Sequence, residues 1–235
     1  MKDVIREEVA ETILEQFENF VLDGAYPCVA ARAALSRGHV PCFIANNIAE
    51  ADDDPRILVF IYDFIMQFRK AKSTLHSAAV IFTGPVTINE EDFDTFFWHR
   101  LQNLSRLDAG RFPYDARVSS DPASPDFSFS LGEEAFFIIG LHPGSSRPSR
   151  RFKYPGMIFN PHAQFVKLRA SHQYDKMKNI VRKRDKIYSG DINPMLKDFG
   201  EASEAMQYTG RQYHEGWTCP LHITHGGSED NSPTK

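Results

Sequence analysis

Cysteine is scarce in this chain, with three in 235 residues: Cys28, Cys42 and Cys219. An odd and small number builds no disulfide framework, and no charged-then-apolar signal segment opens the sequence, so the expected setting is a reducing cytoplasm. The three are also too widely spaced for a zinc pattern. Long apolar runs are missing as well. The longest candidates, "ILVFIY" and "AFFIIGL", fall well short of the roughly 18 residues that a membrane span needs, so no membrane partner is expected. Neither sign of charge dominates: 27 Lys and Arg against 31 Asp and Glu leave a formal charge of -4, which gives no general attraction to nucleic acid. GxSxG, GxxxxGK[ST], HExxH and a glycine-rich fingerprint after a strand are all absent, which excludes the hydrolase, kinase and dinucleotide-binding readings they would carry.

What is present is a globular composition, 42% hydrophobic with 19 Phe, enough for one sizeable core. Residues 1–222 read as a single domain and 223–235 as a disordered tail. Ile5, Val9, Ile13, Phe17 and Phe20 recur three or four apart, the mark of an amphipathic helix closed by Asp23 and Gly24. A second helix follows Cys28 and stops at Gly38, "VPCFIANN" reads as a strand, and the stripe Ile57, Ile61, Phe64, Ile65 and Phe68 predicts a helix running to about Lys72. "HSAAVIFTG" is a further strand. Asn89 caps a helix through "EEDFDTFFWHRLQNLSRLD", after which 108–125 forms a long loop. "DFSFSLGEEAFFIIGLHP" reads as a β-hairpin, "YPGMIFNPH" as another strand, and the remainder as one or two helices ending near Gly190, with the basic run "DKMKNIVRKRDKIY" as a solvated face. The expected class is α+β: a mainly antiparallel sheet with helices packed on it.

Four stretches spend reactive or rigid residues without a folding reason. In "YPC", Cys28 directly precedes a helix whose N-terminus favours a thiolate, though a buried core cysteine would read the same way. In "GLHPGSSRPSRRF", prolines and glycines forbid a regular element around His142. Arg147, Arg150 and Arg151 there suit bidentate binding of carboxylates or phosphates, or else form an ordinary basic loop. In "FNPHAQF", Asn160 is a candidate cap, Pro161 a first helical residue, and His162 either a helix-start residue or a ligand. In "WTCPLH", Pro220 can keep the Cys219 sulfur exposed.

Together these stretches, in this order from about Val21 to His222, resemble the YqcI/YcgG family, in particular its branch of haem-dependent N-hydroxylases of the pre-guanitoxin and arginine N-hydroxylase type. Leu221 stands where that family more often has an aromatic. The resemblance implies a b-type haem that uses O2 or peroxide, with an electron-donor protein where O2 is used, to hydroxylate a guanidine or amine nitrogen of a small molecule. It implies that Cys28, its approach fixed by Pro27, is the proximal ligand, with Cys219 or a histidine as alternatives. Arg147, Arg150 or Arg151 would pair with the propionates, and His142 and His162 would line the pocket. A cationic substrate would need a carboxylate, for which Asp108, Asp121, Asp126, Glu133 and Glu134 are available. The competing expectation is a haem-binding or sensing protein without turnover, in which Cys219 responds to haem and a histidine closes the sixth position.

Overall fold

The computed structural model describes residues 2–73 and 75–224, with side chains from residue 7 onward. The Ile5 side chain and the tail from 225 onward therefore lie outside what is described. Six α-helices and five strands occur among the described residues, in the order α1 (Lys2–Leu22), α2 (Val29–Leu35), β1 (Cys42–Asn47), α3 (Asp54–Lys70), β2 (Ala78–Gly84), α4 (Glu90–Ala109), β3 (Phe129–Leu131), β4 (Glu134–Leu141), β5 (Gly156–Pro161), α5 (His162–Ala170) and α6 (Tyr174–Ser189). The class is α+β, built on one sheet of order β1-β2-β5-β4-β3.

Three of the four strand pairings are antiparallel, and β1 with β2 is parallel. That pair cannot be joined by a tight turn, so α3 makes the crossover. The β3–β4 hairpin turns at Gly132 and Glu133, both at positive φ (58° and 57°), a conformation glycine adopts at no steric cost.

Alternation along the strands sorts the core into two layers. Ala78, Val80 and Phe82 of β2 and Phe136 and Ile138 of β4 face α3 and α4, where Ile61, Phe64, Phe93 and Phe97 close the larger cluster. Ala79, Ile81 and Leu141 face the opposite side, against Ile13, Phe17 and Val21 of α1. The sheet is thus covered on both faces. Val9, assigned by periodicity to the apolar stripe of α1, is 44% exposed, because that helix begins to pack only at Ile13.

The Asn89 cap is present as expected, its side chain accepting the Asp92 N–H at 2.7 Å. The Asn160 cap is not. Strand β5 continues through Pro161, which takes the cap position, and the Asn160 amide donates instead to the Phe137 carbonyl at 3.1 Å. The C-terminal helical region is two helices, separated where His172 takes a φ of 57°.

Candidate functional site

Between the sheet and the layer formed by α1, α2, α5 and α6 lies a cavity of about 270 Å3. Phe137, Ile139 and Leu141 of β4 and Ile158 and Asn160 of β5 form its floor, each two residues from the next and so on one face of the sheet. Ala30, Ala31 and Ala34 of α2 make a low wall, and Tyr174, Met177 and Val181 of α6 stand on another side.

Cys28 and His162 both line this cavity. Cys28 is the N-cap of α2, in extended conformation, and its Sγ accepts the Ala31 N–H at 3.4 Å. Burial pushes the thiol above its ordinary range, outweighing the hydrogen bonds from Ala31 and Ala30 and the charge of Arg150. The helix N-terminus therefore does not by itself ionise the sulfur: a helix of seven residues offers too little against desolvation. Pro27 is buried behind it. His162 is 7% exposed, and its Nδ1 is buried without a hydrogen-bond partner. Burial and the nearby Arg169 charge lower its pKa to about 4, so the imidazole is neutral near pH 7.

His142 sits elsewhere. It follows Leu141 on β4, so alternation turns it to the opposite face of the sheet, where its ring stacks on Phe93 at 4.1 Å between centroids. It is fully buried, both ring nitrogens lack partners, and burial lowers its pKa to about 4. The two histidines flank one strand without sharing a site.

None of the three loop arginines lines the cavity, and each is engaged within the protein. Arg147 donates to Asp185 at 2.5 Å and to Asp191 at 3.0 Å. Arg150 donates to the carbonyls of Gly140, Tyr208 and Gln207 at 3.1 to 3.2 Å. Arg151 donates to the carbonyls of Ser145 and Ser146. The loop works as an internal clamp between β4, α6 and the C-terminal segment. Gly144 belongs to the same tight packing, since a Cβ there would collide with the Ile88 carbonyl.

The cations that do line the cavity are Arg169, Lys178, Arg182 and Lys197. Lys178 and Arg182 reach Asp198 at 2.8 and 3.3 Å. The basic run of α6 is therefore solvated only in part: Lys176, Lys183 and Lys186 are exposed, while Arg184 donates to the Gly24 and Tyr26 carbonyls. The Arg169 guanidinium lies 4.5 Å from the Tyr174 ring centroid and 5.8 Å from that of Phe199. Cys219 lines a separate depression with 120–123, Pro125, Trp217 and Thr218, and burial pushes its thiol up to about 12.

The carboxylates proposed from sequence are also occupied or remote. Asp108 accepts from Tyr62 and from the Gly132 N–H, and Glu134 pairs with Arg69 and Arg117. Asp121 lines the depression near Cys219, and neither Asp126 nor Glu133 lines the cavity. The acidic residues that do line it are Asp198 and Glu204. No spacing or motif in the sequence distinguishes Glu204 from the chain's surface glutamates, because its partners Ser128 and Tyr208 come together only in the fold, where it is buried.

Among the described residues, no cluster of three or more His, Cys, Asp or Glu is placed to hold a metal ion, and no helix is long and apolar enough to cross a membrane. No solved structure matches the chain. A curated relative, the uncharacterized protein YqcI of Bacillus subtilis (strain 168), is 29% identical over 132 residues, which cover 53% of this chain and 51% of the relative. The chain thus aligns with about half the length of the curated relative it matches. The YqcI/YcgG family profile matches residues 17–222, a span that includes Cys28, His162, Arg169 and Glu204 together with the whole sheet, and the chain belongs to that family.

Proposed function

We propose that the cavity holds a b-type haem and that the protein is a haem-dependent N-hydroxylase acting on a guanidine or amine nitrogen of a small molecule. The observation that carries this reading is the donor set. A cysteine thiol at a helix N-terminus and a neutral histidine with a partnerless buried nitrogen line one apolar cavity. Sulfur and imidazole are both axial donors to haem iron, and a thiolate donor favours O–O cleavage in the bound group. Four cations at the same cavity, rather than the loop arginines, are the candidates for holding the propionates.

The volume, about 270 Å3, lies just under the common range for ligand pockets, roughly 300–1,000 Å3. Binding a macrocycle therefore entails displacement of wall side chains. Cys28 would give up its proton on ligation, and the Ala31 and Ala30 N–H groups would then stabilise the sulfur charge. The small α2 side chains Ala30, Ala31 and Ala34 allow close approach of a flat group. With O2, placing one oxygen atom on nitrogen requires two electrons and two protons, the second oxygen leaving as water, so an electron donor is needed; hydrogen peroxide needs none.

The test is a titration of purified protein with hemin, followed by the ferrous carbon monoxide spectrum. Wild type and Cys219→Ser should give the red-shifted Soret band of thiolate ligation, and Cys28→Ser should lose it. A high-spin ferric signal that shifts when an amine is added, with a product heavier by one oxygen, supports turnover. A low-spin signal indifferent to amines supports sensing, with His162 closing the sixth position. Absence of any hemin binding overturns both.

A further inference from the structure

Glu204 is the least explained group in the cavity. It opens the short 3-10 turn Glu204–Gln207, is 5% exposed, and lines the space that Cys28 and His162 share. Its carboxyl group is held in position. Oε1 accepts from the Ser128 hydroxyl at 2.7 Å and from the Tyr208 hydroxyl at 2.6 Å, and Tyr208 is itself fixed by the Phe129 N–H at 3.1 Å. Ser203 caps the turn by accepting the Ala205 N–H.

The other oxygen, Oε2, has no hydrogen-bond partner among the described residues and is not among the polar atoms sealed from solvent. Among the described residues, no Lys or Arg forms an ion pair with Glu204. The charged and titratable groups acting on it are few: Arg169 from α5, Tyr208 on its own segment and Tyr114 from the long loop. Arg169 is held against the Tyr174 and Phe199 rings rather than against this carboxyl group. A positioned carboxyl with one oxygen free, in a cavity whose cations Arg169, Lys178 and Arg182 are held by ring faces or by Asp198, has no paired counter-charge, and a ligand can supply one.

We infer that Glu204 is the group through which the cavity recognises a protonated nitrogen base, a primary amine, amidine or guanidinium, with Oε2 accepting the ligand N–H. The inference deepens the reading above and rests on it for the reaction that follows binding, but the recognition itself needs no prosthetic group. Burial pushes the Glu204 pKa to about 8, so the carboxyl group is mainly protonated near pH 7 before a ligand arrives. A cation entering beside Oε2 reverses that balance: the carboxyl proton passes to solvent and an ion pair remains.

The experiment is calorimetry at pH 7 on the purified protein with n-butylguanidinium and with n-butyramide, each in two buffers of different ionisation enthalpy. Wild type should bind butylguanidinium at least tenfold more tightly than the amide and release close to one proton per ligand. Glu204→Gln keeps an oxygen for Ser128 and Tyr208 and should lose both the preference and the proton release. Equal binding of the two compounds, binding without proton release, no binding of butylguanidinium, or an unchanged preference in Glu204→Gln overturns the inference. If the variant does not fold, wild-type proton release between pH 6 and 9 decides alone, since a merely structural carboxyl would release none. Hemin titrations run in parallel separate the two proposals: cation recognition that depends on Glu204 in a protein that takes no haem leaves this inference standing and removes the haem.

Discussion

Cys28 carries two opposed influences, and their balance fixes how its chemistry depends on pH. Burial holds the sulfur protonated, while two N–H groups of α2 and the Arg150 charge favour its anion. Metal ligation needs the anion, so below the thiol pKa each unit of pH should raise hemin affinity by about tenfold through one released proton. His162, with its pKa near 4, is already neutral across this range and would give no such slope. Hemin binding measured between pH 6 and 8 should therefore strengthen in wild type and become flat in Cys28→Ser; a flat wild-type profile assigns the ligand to His162. The position of Cys28 was legible because proline, cysteine and a run of small residues are adjacent in sequence. The sign of its pKa shift was not, since desolvation depends on what α1 and α6 pack over it. His142 was misplaced for a related reason: "AFFIIGL" is apolar at every position, so it carries no phase from which to read which face the next residue takes.

At the scale of elements, the helices followed from periodicity and caps, whereas their partners did not. Helices α3 and α4 are tied by a buried pair, the Arg100 guanidinium donating to Asp54 at 3.1 Å, with the Glu50 carbonyl as a further acceptor. Burial raises the Asp54 pKa to about 6 even beside this arginine, so the pair is held at considerable desolvation cost. Arg100→Leu should leave an uncompensated buried carboxylate and destabilise the protein by about 3–5 kcal/mol. Adding Asp54→Leu should recover part of that loss, as read from the denaturant midpoints of the two variants. Recovery would locate the cost in the orphaned charge rather than in lost packing. The arginine loop follows the same logic. Its three arginines look like ligand-binding arms in sequence because their acceptors, Asp185 and the carbonyls of Gly140 and Gln207 among them, lie on segments far along the chain. The parallel β1–β2 pairing was equally invisible, since strand pairing across a helix leaves no local signature.

Over the whole molecule, buried titrating groups of opposite kind set where stability peaks. His142 and His162 have pKa values lowered to about 4 and His76 is lowered as well, so the stability tied to their neutral forms is complete well above pH 6.5 and is lost as the pH falls, for His142 and His162 down to about 4. Asp54 and Glu204 have raised values, so their contribution is complete at low pH and is lost as the pH rises through about 6 and about 8. Between pH 4.5 and 6.5 the two sets largely oppose one another. Between 6.5 and 8 the histidines lose the last of their unfolded-state protons, Asp54 is largely ionised in both states, and Glu204, among the described residues, still binds a proton only in the folded protein. Glu204 should accordingly lower the unfolding free energy by roughly 1 kcal/mol per pH unit across that window, a fall partly offset at its lower end by the histidines. The raised thiols add nothing there, since their unfolded values lie near 9. Urea unfolding at half-unit steps from pH 6.5 to 8 should show wild type losing stability relative to Glu204→Gln, whose amide does not titrate, by about this amount. A saturating nitrogen base should flatten the wild-type slope as well, because a carboxylate paired with a cation no longer holds the extra proton. Parallel profiles in the two proteins would place the proton on another group and remove Glu204 from both the stability profile and the cavity's recognition chemistry.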